Sequence, residues 1–321
     1  MPQRKSKRSK DAVFEMSFPA TSANLGPAFD TAALAFELSL KVRAQKADEF
    51  SIRADGRDND ICGRLENHLI LNTYREVLEQ QNRKVKPLAL TIHNEIPIGK
   101  GCGSSAAARL AGIVLAVHFG GLNWSDSRIV GEASFREHHP DNAAACWMGG
   151  VAVARMSSEH EAQIASIPLR VNWPLLVAIP EHPLSTEEAR RVLPEQYSRA
   201  DAVANIQNSM LLLAGLTQGR QDLLSPSFED RIHQPYRASL CPLLPSLQKL
   251  AGSGGVLGAV LSGAGPSVLM FVDQSSNQKK LRAAVERHLL ADGLQAEVIA
   301  SAIARKAPAK QMQRYRPSRR R

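Results

Sequence analysis

From Leu34 onward the apolar residues fall at every second position, through Phe36, Leu38, Leu40 and Val42, which is the period of a half-buried strand. Val13–Phe18 reads as its neighbour. Between them runs Pro19-Ala20-Thr21-Ser22-Ala23-Asn24-Leu25-Gly26-Pro27-Ala28-Phe29-Asp30, a polar connection punctuated by Gly and Pro and too long for a tight hairpin. Functional residues concentrate on such loops. Asn67–Gln80 then shows helical spacing with Asn67 as cap, and Leu88–Ile92 is a strand. Ala106–Val117 is made of small, apolar and helix-forming residues apart from Gly112, so it predicts a helix buried on nearly all sides. A further helix over Asp126–Glu137 stops at His138-His139-Pro140-Asp141-Asn142, because Pro140 lacks a backbone donor and disfavours helical geometry at 139. Small residues lead to Gly149-Gly150 and a strand, Val151–Met156.

Beyond 168 the texture repeats. A strand at Leu175–Ile179 precedes helices near 186–192 and 199–218, then come strands Val256–Leu261 and Val268–Val272 about a glycine turn, helix Gln278–Leu290 and strand Glu297–Ala302. Strands and helices mix without regular βαβ alternation, which favours an α+β fold over a doubly wound parallel sheet. A boundary near 168–173 divides the chain in two.

The densest chemistry lies in Pro97-Ile98-Gly99-Lys100-Gly101-Cys102-Gly103-Ser104-Ser105-Ala106-Ala107-Ala108, three glycines at alternate positions followed by two hydroxyls. Glycine permits positive φ and close approach of the backbone to a ligand, while the first turn of a helix carries unpaired N–H donors and partial positive charge. The stretch reads as a phosphate cradle; the alternative is a glycine-rich turn without a ligand. It is not a Walker loop, since Lys100 precedes the last two glycines. Nor is it a dinucleotide fingerprint, since the glycines are spaced by two and no acid about twenty residues on closes a βαβ unit.

Length and composition set the bounds. With 321 residues, 44% apolar and 22% charged, the chain is an ordinary soluble globular protein of one large or two medium domains. No apolar run is long enough to cross a bilayer, and no apolar segment follows the basic start, so a cytoplasmic location is expected. The net charge of +9 is not spread: residues 1–10 carry five Lys/Arg and 303–321 carry eight, neither with any acid, which leaves 11–302 at −4. Both ends read as basic, disordered arms. Only Tyr315 offers an aromatic ring for stacking, so no specific nucleic acid is expected. Cys62, Cys102, Cys146 and Cys241 lack metal or disulfide spacing. Cys102, at a helix start, is either an activated thiol or an apolar filler.

Three segments stand in order: P-A-T-S-A-N-L-G-P-A-F-D at 19–30, P-I-G-K-G-C-G-S-S-A-A-A at 97–108 and L-S-G-A-G-P-S-V at 261–268. Together they resemble the three motifs of the GHMP kinase superfamily, which includes galactokinases, homoserine kinases and mevalonate kinases. H-P-D-N at 139–142, S-T-E-E-A-R at 185–190 and D-R-I-H-Q-P-Y-R at 230–237 look most like the homoserine kinases. The likeness spans 11–302. Ala28 replaces the family's usual glycine, Cys102 a leucine and Ala143-Ala144-Ala145 a V-A-P, exchanges that bear on loop shape more than on chemistry. The resemblance implies a two-domain α+β fold, with a ribosomal S5-like half at 11–168 and a ferredoxin-like half at 169–302. ATP and a small-molecule substrate would meet in the cleft between them. It further implies Mg²⁺-assisted phosphorylation of the side-chain hydroxyl of L-homoserine, a step of threonine biosynthesis. Superfamily members often form homodimers.

Phosphoryl transfer asks a protein mainly to position reactants and stabilise charge. By resemblance the nucleotide phosphates sit on Pro97 to Ala107, and Mg²⁺ on Ser105 and Glu132, although Glu132 also fits a solvated helix acid. The planar forks of Arg190 and Arg237 suit the substrate carboxylate; their alternative is an ordinary surface ion pair. Asp30, with His139 close by, suits the ammonium group, and Asn24 the reacting hydroxyl; the competing roles are a strand-end cap and a turn residue. Thr186 matches a position near the γ-phosphate, though T-E-E is also a common capping pattern. Asp141 matches the aspartate with which some superfamily members take the hydroxyl proton, a step that a loose transition state hardly requires. The turn Ser262–Ser267 packs, by resemblance, beside the phosphate loop. Two rival readings stay open: the same fold acting on mevalonate or a sugar, and a non-enzymatic protein gripping nucleic acid with its arms.

Overall fold

The computed structural model describes residues 13–305 and 307–315. β1 (Phe14–Ala23) and β2 (Ala32–Lys46) pair antiparallel, from Phe14 opposite Ala44 to Ala23 opposite Ala33. The first strand therefore takes in the front half of the polar segment. Ala20, Thr21, Ser22 and Ala23 are buried, small side chains that let a helix press on the strand, and the connection shrinks to 24–31. β3 (Ser51–Gly56) and α1 (Asn59–Cys62) follow, neither with an apolar period that predicts it. α2 (Leu69–Gln80) starts after Asn67, whose φ of 53° is left-handed; His68 occupies the cap position instead. β4 (Leu88–Asn94) lies between β2, antiparallel, and β3, parallel.

α3 (Ser104–Gly120) is the buried helix, with Leu110, Ile113, Val114 and Leu115 fully enclosed. Gly112 explains how α2 comes so near: a Cβ there would stand 2.5 Å from Ile70 O. α4 (Asp126–Glu137) is capped by Ser125, whose Oγ accepts from Arg128 N–H at 3.0 Å. α5 (Asp141–Met148) forms where the sequence shows only small residues; a run of alanines carries no stripe from which a helical period can be read. β5 (Val151–Ser158) and β6 (Glu161–Ile167) complete a sheet of order β3-β4-β2-β5-β6, with β1 paired to β2.

The second half contains β7 (Pro174–Ile179), α6 (Thr186–Arg191), α7 (Arg199–Gln218), α8 (Gln221–Leu224), α9 (Gln234–Arg237), α10 (Leu243–Gln248), β8 (Val256–Leu261), β9 (Val268–Val272), α11 (Gln278–Ala291) and β10 (Glu297–Ala302). Its strands form an antiparallel sheet of order β10-β7-β9-β8. Leu176 and Ala178 face a core of their own, while Leu175, Val177 and Ile179 join the larger one. A sheet covered on both faces needs unbroken apolar runs, which is why β7, β8 and β9 are easy to read.

After β10 the chain returns to the first half. Ile303 bridges Phe36, and Ala304 N–H donates to Ala35 O at 2.8 Å. α12 (Pro308–Met312) packs against β1 and α5, burying Ala309 and Met312. The expectation of a disordered arm from 303 therefore fails for 303–305 and 307–315. The apolar residues between the basic ones are buried while Lys310 and Arg314 stay exposed, and a charge count does not register that. The arm at 1–10 lies outside the described residues.

Candidate active site

Both halves line one cleft of about 660 Å³. Gly99, Gly101 and Gly103 all adopt left-handed φ, 70°, 74° and 72°. A Cβ on Gly101 would run into the carbonyl oxygens of Ser262 and Gly265, and one on Gly103 into Thr21 Oγ1. Neighbouring elements fix the loop: Ser262 Oγ donates to Gly101 O at 2.7 Å, and Thr21 N–H to Cys102 O at 3.0 Å. In α3 the N–H of Ala107 closes the first intrahelical bond, to Gly103 O at 3.1 Å, so those of Ser104, Ser105 and Ala106 are the helix's orphan donors. Ile98, Gly99, Gly101, Gly103, Ser104 and Ser105 form cleft wall; Pro97, Lys100, Cys102, Ala106 and Ala107 do not. Cys102 is fully enclosed and burial pushes its thiol up to about 12, so it is filler rather than an activated thiol.

The carboxylate beside Ser105 is Glu137, not Glu132. Glu137 Oε2 accepts from Ser105 Oγ at 2.5 Å, and Oε1 accepts from Arg109 Nε at 2.5 Å. Glu132 is enclosed elsewhere, 3.2 Å from Arg128, 3.0 Å from Arg136 and 3.0 Å from His160, and forms no part of the cleft wall. Five residues along a helix turn the side chain by roughly 140°, so the two glutamates of α4 serve different faces.

Asn24 has a left-handed φ of 72°. Its Oδ1 accepts from Asp30 N–H at 2.9 Å, while its Nδ2 donates to Gly263 O at 2.9 Å, tying the first motif to the third. Asp30 forms an ion pair with Arg190 at 2.7 Å. Arg237 is 1% exposed, yet stands on the cleft wall with Asn24, Asp30, His139, Asp141, Thr186 and Arg190. Thr186 is not the cap of α6; Ser185 is, its Oγ accepting from Glu188 N–H at 3.1 Å.

Two residues absent from the sequence-based set hold the arginines. The Phe29 ring lies 5.5 Å from the Arg190 guanidinium carbon and 5.4 Å from that of Arg237, and His233 stacks on it at 5.1 Å. His233 Nε2 is 2.8 Å from Gly26 O, which only accepts, so Nε2 carries the proton and Nδ1 accepts from Arg237 Nη1 at 3.2 Å. Arg237 Nε donates to Ala189 O at 2.9 Å. Burial, then the charge of Arg190, lowers Arg237 to about 10, which leaves it charged at neutral pH.

His139 Nδ1 meets Asp141 Oδ1 at 2.7 Å. Burial alone would lower its pKa, but the bond to Asp141 and the charges of Asp141, Asp30 and Glu137 outweigh burial and raise it. A raised folded-state pKa stabilises the protein fully below the unfolded value, about 6.5, and that stabilisation is lost as pH rises through the folded value. His139→Asn is therefore expected to cost more stability at pH 5.5 than at pH 9, as read from urea melts at both; an equal cost would remove the charged imidazole from the account.

The sequence patterns match two family models over these elements, GHMP kinases N terminal domain at residues 68–150 and GHMP kinases C terminal at 211–291. The homoserine kinase of Solibacter usitatus is 42% identical over 268 residues, covering 83% of this chain and 87% of the relative. The crystal structure of homoserine kinase from Cytophaga hutchinsonii superposes with a TM-score of 0.78 at 25% identity, covering 95% and 98% of the two chains. A putative homoserine kinase from Listeria monocytogenes gives 0.72 at 26% identity, covering 92% and 98%. Among the described residues no helix is long and apolar enough to cross a membrane. Fold, motif geometry and identity over most of both chains agree, and the chain belongs to the GHMP kinases and, within them, to the homoserine kinase family.

Proposed function

We propose that this chain transfers the γ-phosphoryl group of ATP to the side-chain hydroxyl of L-homoserine, giving O-phospho-L-homoserine and ADP in cytoplasmic threonine biosynthesis. The observation that carries the reading is a zwitterion site beside an anion cradle: Arg190 and Arg237 share the cleft wall with Asp30 and with the first turn of α3. Asp30 and Arg190 neutralise each other at 2.7 Å. A zwitterion entering between them exchanges one ion pair for two, the ammonium with Asp30 and the carboxylate with Arg190, and Arg237 stands on the same wall as a second cation for the carboxylate. Mevalonate has a carboxylate but no ammonium and a sugar has neither, so neither engages Asp30 and the arginines together as the homoserine zwitterion does.

The residues also suit a nucleotide with its metal. Gly101 and Gly103 let the loop pack close against the Ser262–Gly265 turn and Thr21, the orphan N–H groups of Ser104–Ala106 suit phosphate oxygens, and Ser105 with Glu137 offers the hard oxygen ligands that Mg²⁺ takes. ATP supplies the phosphoryl group, and Mg²⁺ offsets the charge on its β and γ oxygens. The chain's part is positioning: Arg237 and Arg190 bind the carboxylate, Asp30 takes the ammonium with His139 close by, Asn24 fixes the hydroxyl near the cradle and Thr186 lies toward the γ-phosphate. Asp141, on the same wall, is the carboxylate acceptor for the hydroxyl proton, a transfer that a loose transition state hardly requires. Residues 11–168 thus act as the nucleotide half and 169–302 as the half that brings both arginines, and the chain works as a homodimer.

A coupled ADP-release assay over L-homoserine, mevalonate and galactose tests the substrate. Turnover is expected with homoserine alone; turnover with another alcohol and none with homoserine decides for the rival. Removing residues 1–10 is expected to leave the rate unchanged, against the reading in which the arms carry the function.

A further inference from the structure

Asp58 stands at the turn from β3 into α1 with a φ of 51°, the left-handed region that residues other than glycine enter at a cost. An Asp just before a helix ordinarily accepts from a backbone N–H two or three residues on. Asp58 does not: its side chain makes no cap bond among the described residues, and its Oδ2 accepts instead from Ile98 N–H at 3.0 Å. Strained backbone persists where the surrounding structure uses it, and here both the strain and the forgone cap serve that one contact.

Ile98 is the entry to the phosphate cradle and forms cleft wall beside Gly99. The middle of the cradle is held by Ser262 Oγ on Gly101 O and its exit by Thr21 N–H on Cys102 O. At the entry Pro97 has no N–H to offer, so the N–H of Ile98 is the handle by which that limb can be fixed. The corner that presents Asp58 is itself pinned. Arg57 N–H donates to Asn94 O at 2.7 Å, and the buried Asn94 returns a bond from Nδ2 to Arg57 O at 3.1 Å. A Cβ on Gly56 would run into Asn94 O, so the two segments lie as close as backbones can. Arg57 also reaches the second half of the chain, its Nη1 donating to Glu297 Oε2 at 2.7 Å.

We infer that Asp58 is a positioning residue for the nucleotide: it holds Ile98, and with it the entry limb of the cradle, so that the phosphates meet a loop already in its bound shape. Asp58 is not part of the cleft wall and acts only through Ile98. The inference rests on the ATP-dependent reading proposed above.

Two substitutions separate the side-chain bond from the backbone. Glycine takes the left-handed conformation without strain and has no acceptor; asparagine tolerates the same conformation and keeps an oxygen. Asp58→Gly is expected to raise the KM for ATP and the calorimetric Kd of ADP about tenfold, the loss of one hydrogen bond to a charged acceptor. The KM for homoserine is expected to stay within about twofold, since no group that holds it is moved. The thermal midpoint stays close to wild type, because relief of strain offsets the added freedom of the unfolded chain. Asp58→Asn is expected to bring both nucleotide values back to within about threefold of wild type. Asp58→Ala, strained as well as lacking the acceptor, melts lower yet shows the nucleotide-specific split in its folded fraction, so the test survives a folding fault in the glycine variant. Wild-type nucleotide values in Asp58→Gly overturn the inference, and so does an asparagine variant no better than the glycine one. A homoserine KM that rises in step with that of ATP also overturns it, being the mark of general loosening. A wild-type chain that binds no ADP and turns over no homoserine removes the proposed function itself, and this inference with it.

Discussion

Glu137→Ala is expected to lower kcat a hundred- to a thousandfold, roughly 3–4 kcal/mol of transition-state stabilisation, while Glu132→Ala is expected to leave kcat per folded molecule nearly unchanged. Glu137 Oε2 lies 2.5 Å from Ser105 Oγ at the mouth of the cradle, where a carboxylate holding Mg²⁺ meets the phosphate charge. Arg109 grips the other oxygen at 2.5 Å, so the carboxylate is aimed before any ligand arrives. Glu132 does a different job. It is 1% exposed and neutralises Arg128 and the largely enclosed Arg136, whose other partners are Glu76 and Gln80. Removing one partner of such a network leaves buried charge uncompensated, at about 3–5 kcal/mol. The two variants should split cleanly: steady-state kinetics report Glu137, urea melts report Glu132. A Glu132 variant that loses turnover but not stability, beside a neutral Glu137 variant, would return the metal to the residue the sequence first suggested.

That misassignment shows where sequence reading stops. The cradle was legible because its signal is local: alternate glycines require left-handed backbone at 99, 101 and 103, and the structure has it there. α3 was legible because a helix enclosed on all sides is apolar on all sides. The metal carboxylate depends on which face of α4 turns toward α3, and a resemblance tied to short motifs fixes the helix but not its rotation. The neighbourhood held a usable clue, since Glu137 ends α4 two residues before the H-P-D-N segment that does line the cleft. α5 escaped because alanine fits a helix and a strand-leading loop alike. The tail beyond 303 was misread because composition averages over residues that the fold separates, placing Ile303, Ala309 and Met312 inward. Phe29 and His233 stood within the quoted motifs and were passed over, since their roles depend on a stacking contact between segments about two hundred residues apart.

The second large effect concerns those two residues and the arginine they hold. Arg237→Ala is expected to raise the KM for homoserine at least a hundredfold, about 3 kcal/mol for a buried charge-assisted contact, and that for ATP less than twofold. The asymmetry follows from geometry: Nε and Nη1 of Arg237 are engaged by Ala189 O and His233 Nδ1, while Nη2 has no partner among the described residues and is the donor left for a carboxylate. Two guanidinium groups sharing one wall repel, and the charge of Arg190 helps lower Arg237. The Phe29 ring offsets that repulsion, each cation gaining about 0.5–2 kcal/mol from its π-face. Phe29→Leu is therefore expected to raise the homoserine KM about tenfold, with kcat and the ATP KM within twofold, and Phe29→Tyr to stay near wild type because the ring survives. His233→Leu removes the acceptor that Nη1 has among the described residues and should approach the Arg237 variant in the same split. If Arg237→Ala moves both KM values together, the carboxylate clamp is lost as an explanation; if it moves only homoserine while Phe29→Leu does nothing, the clamp stands and the ring is merely its neighbour.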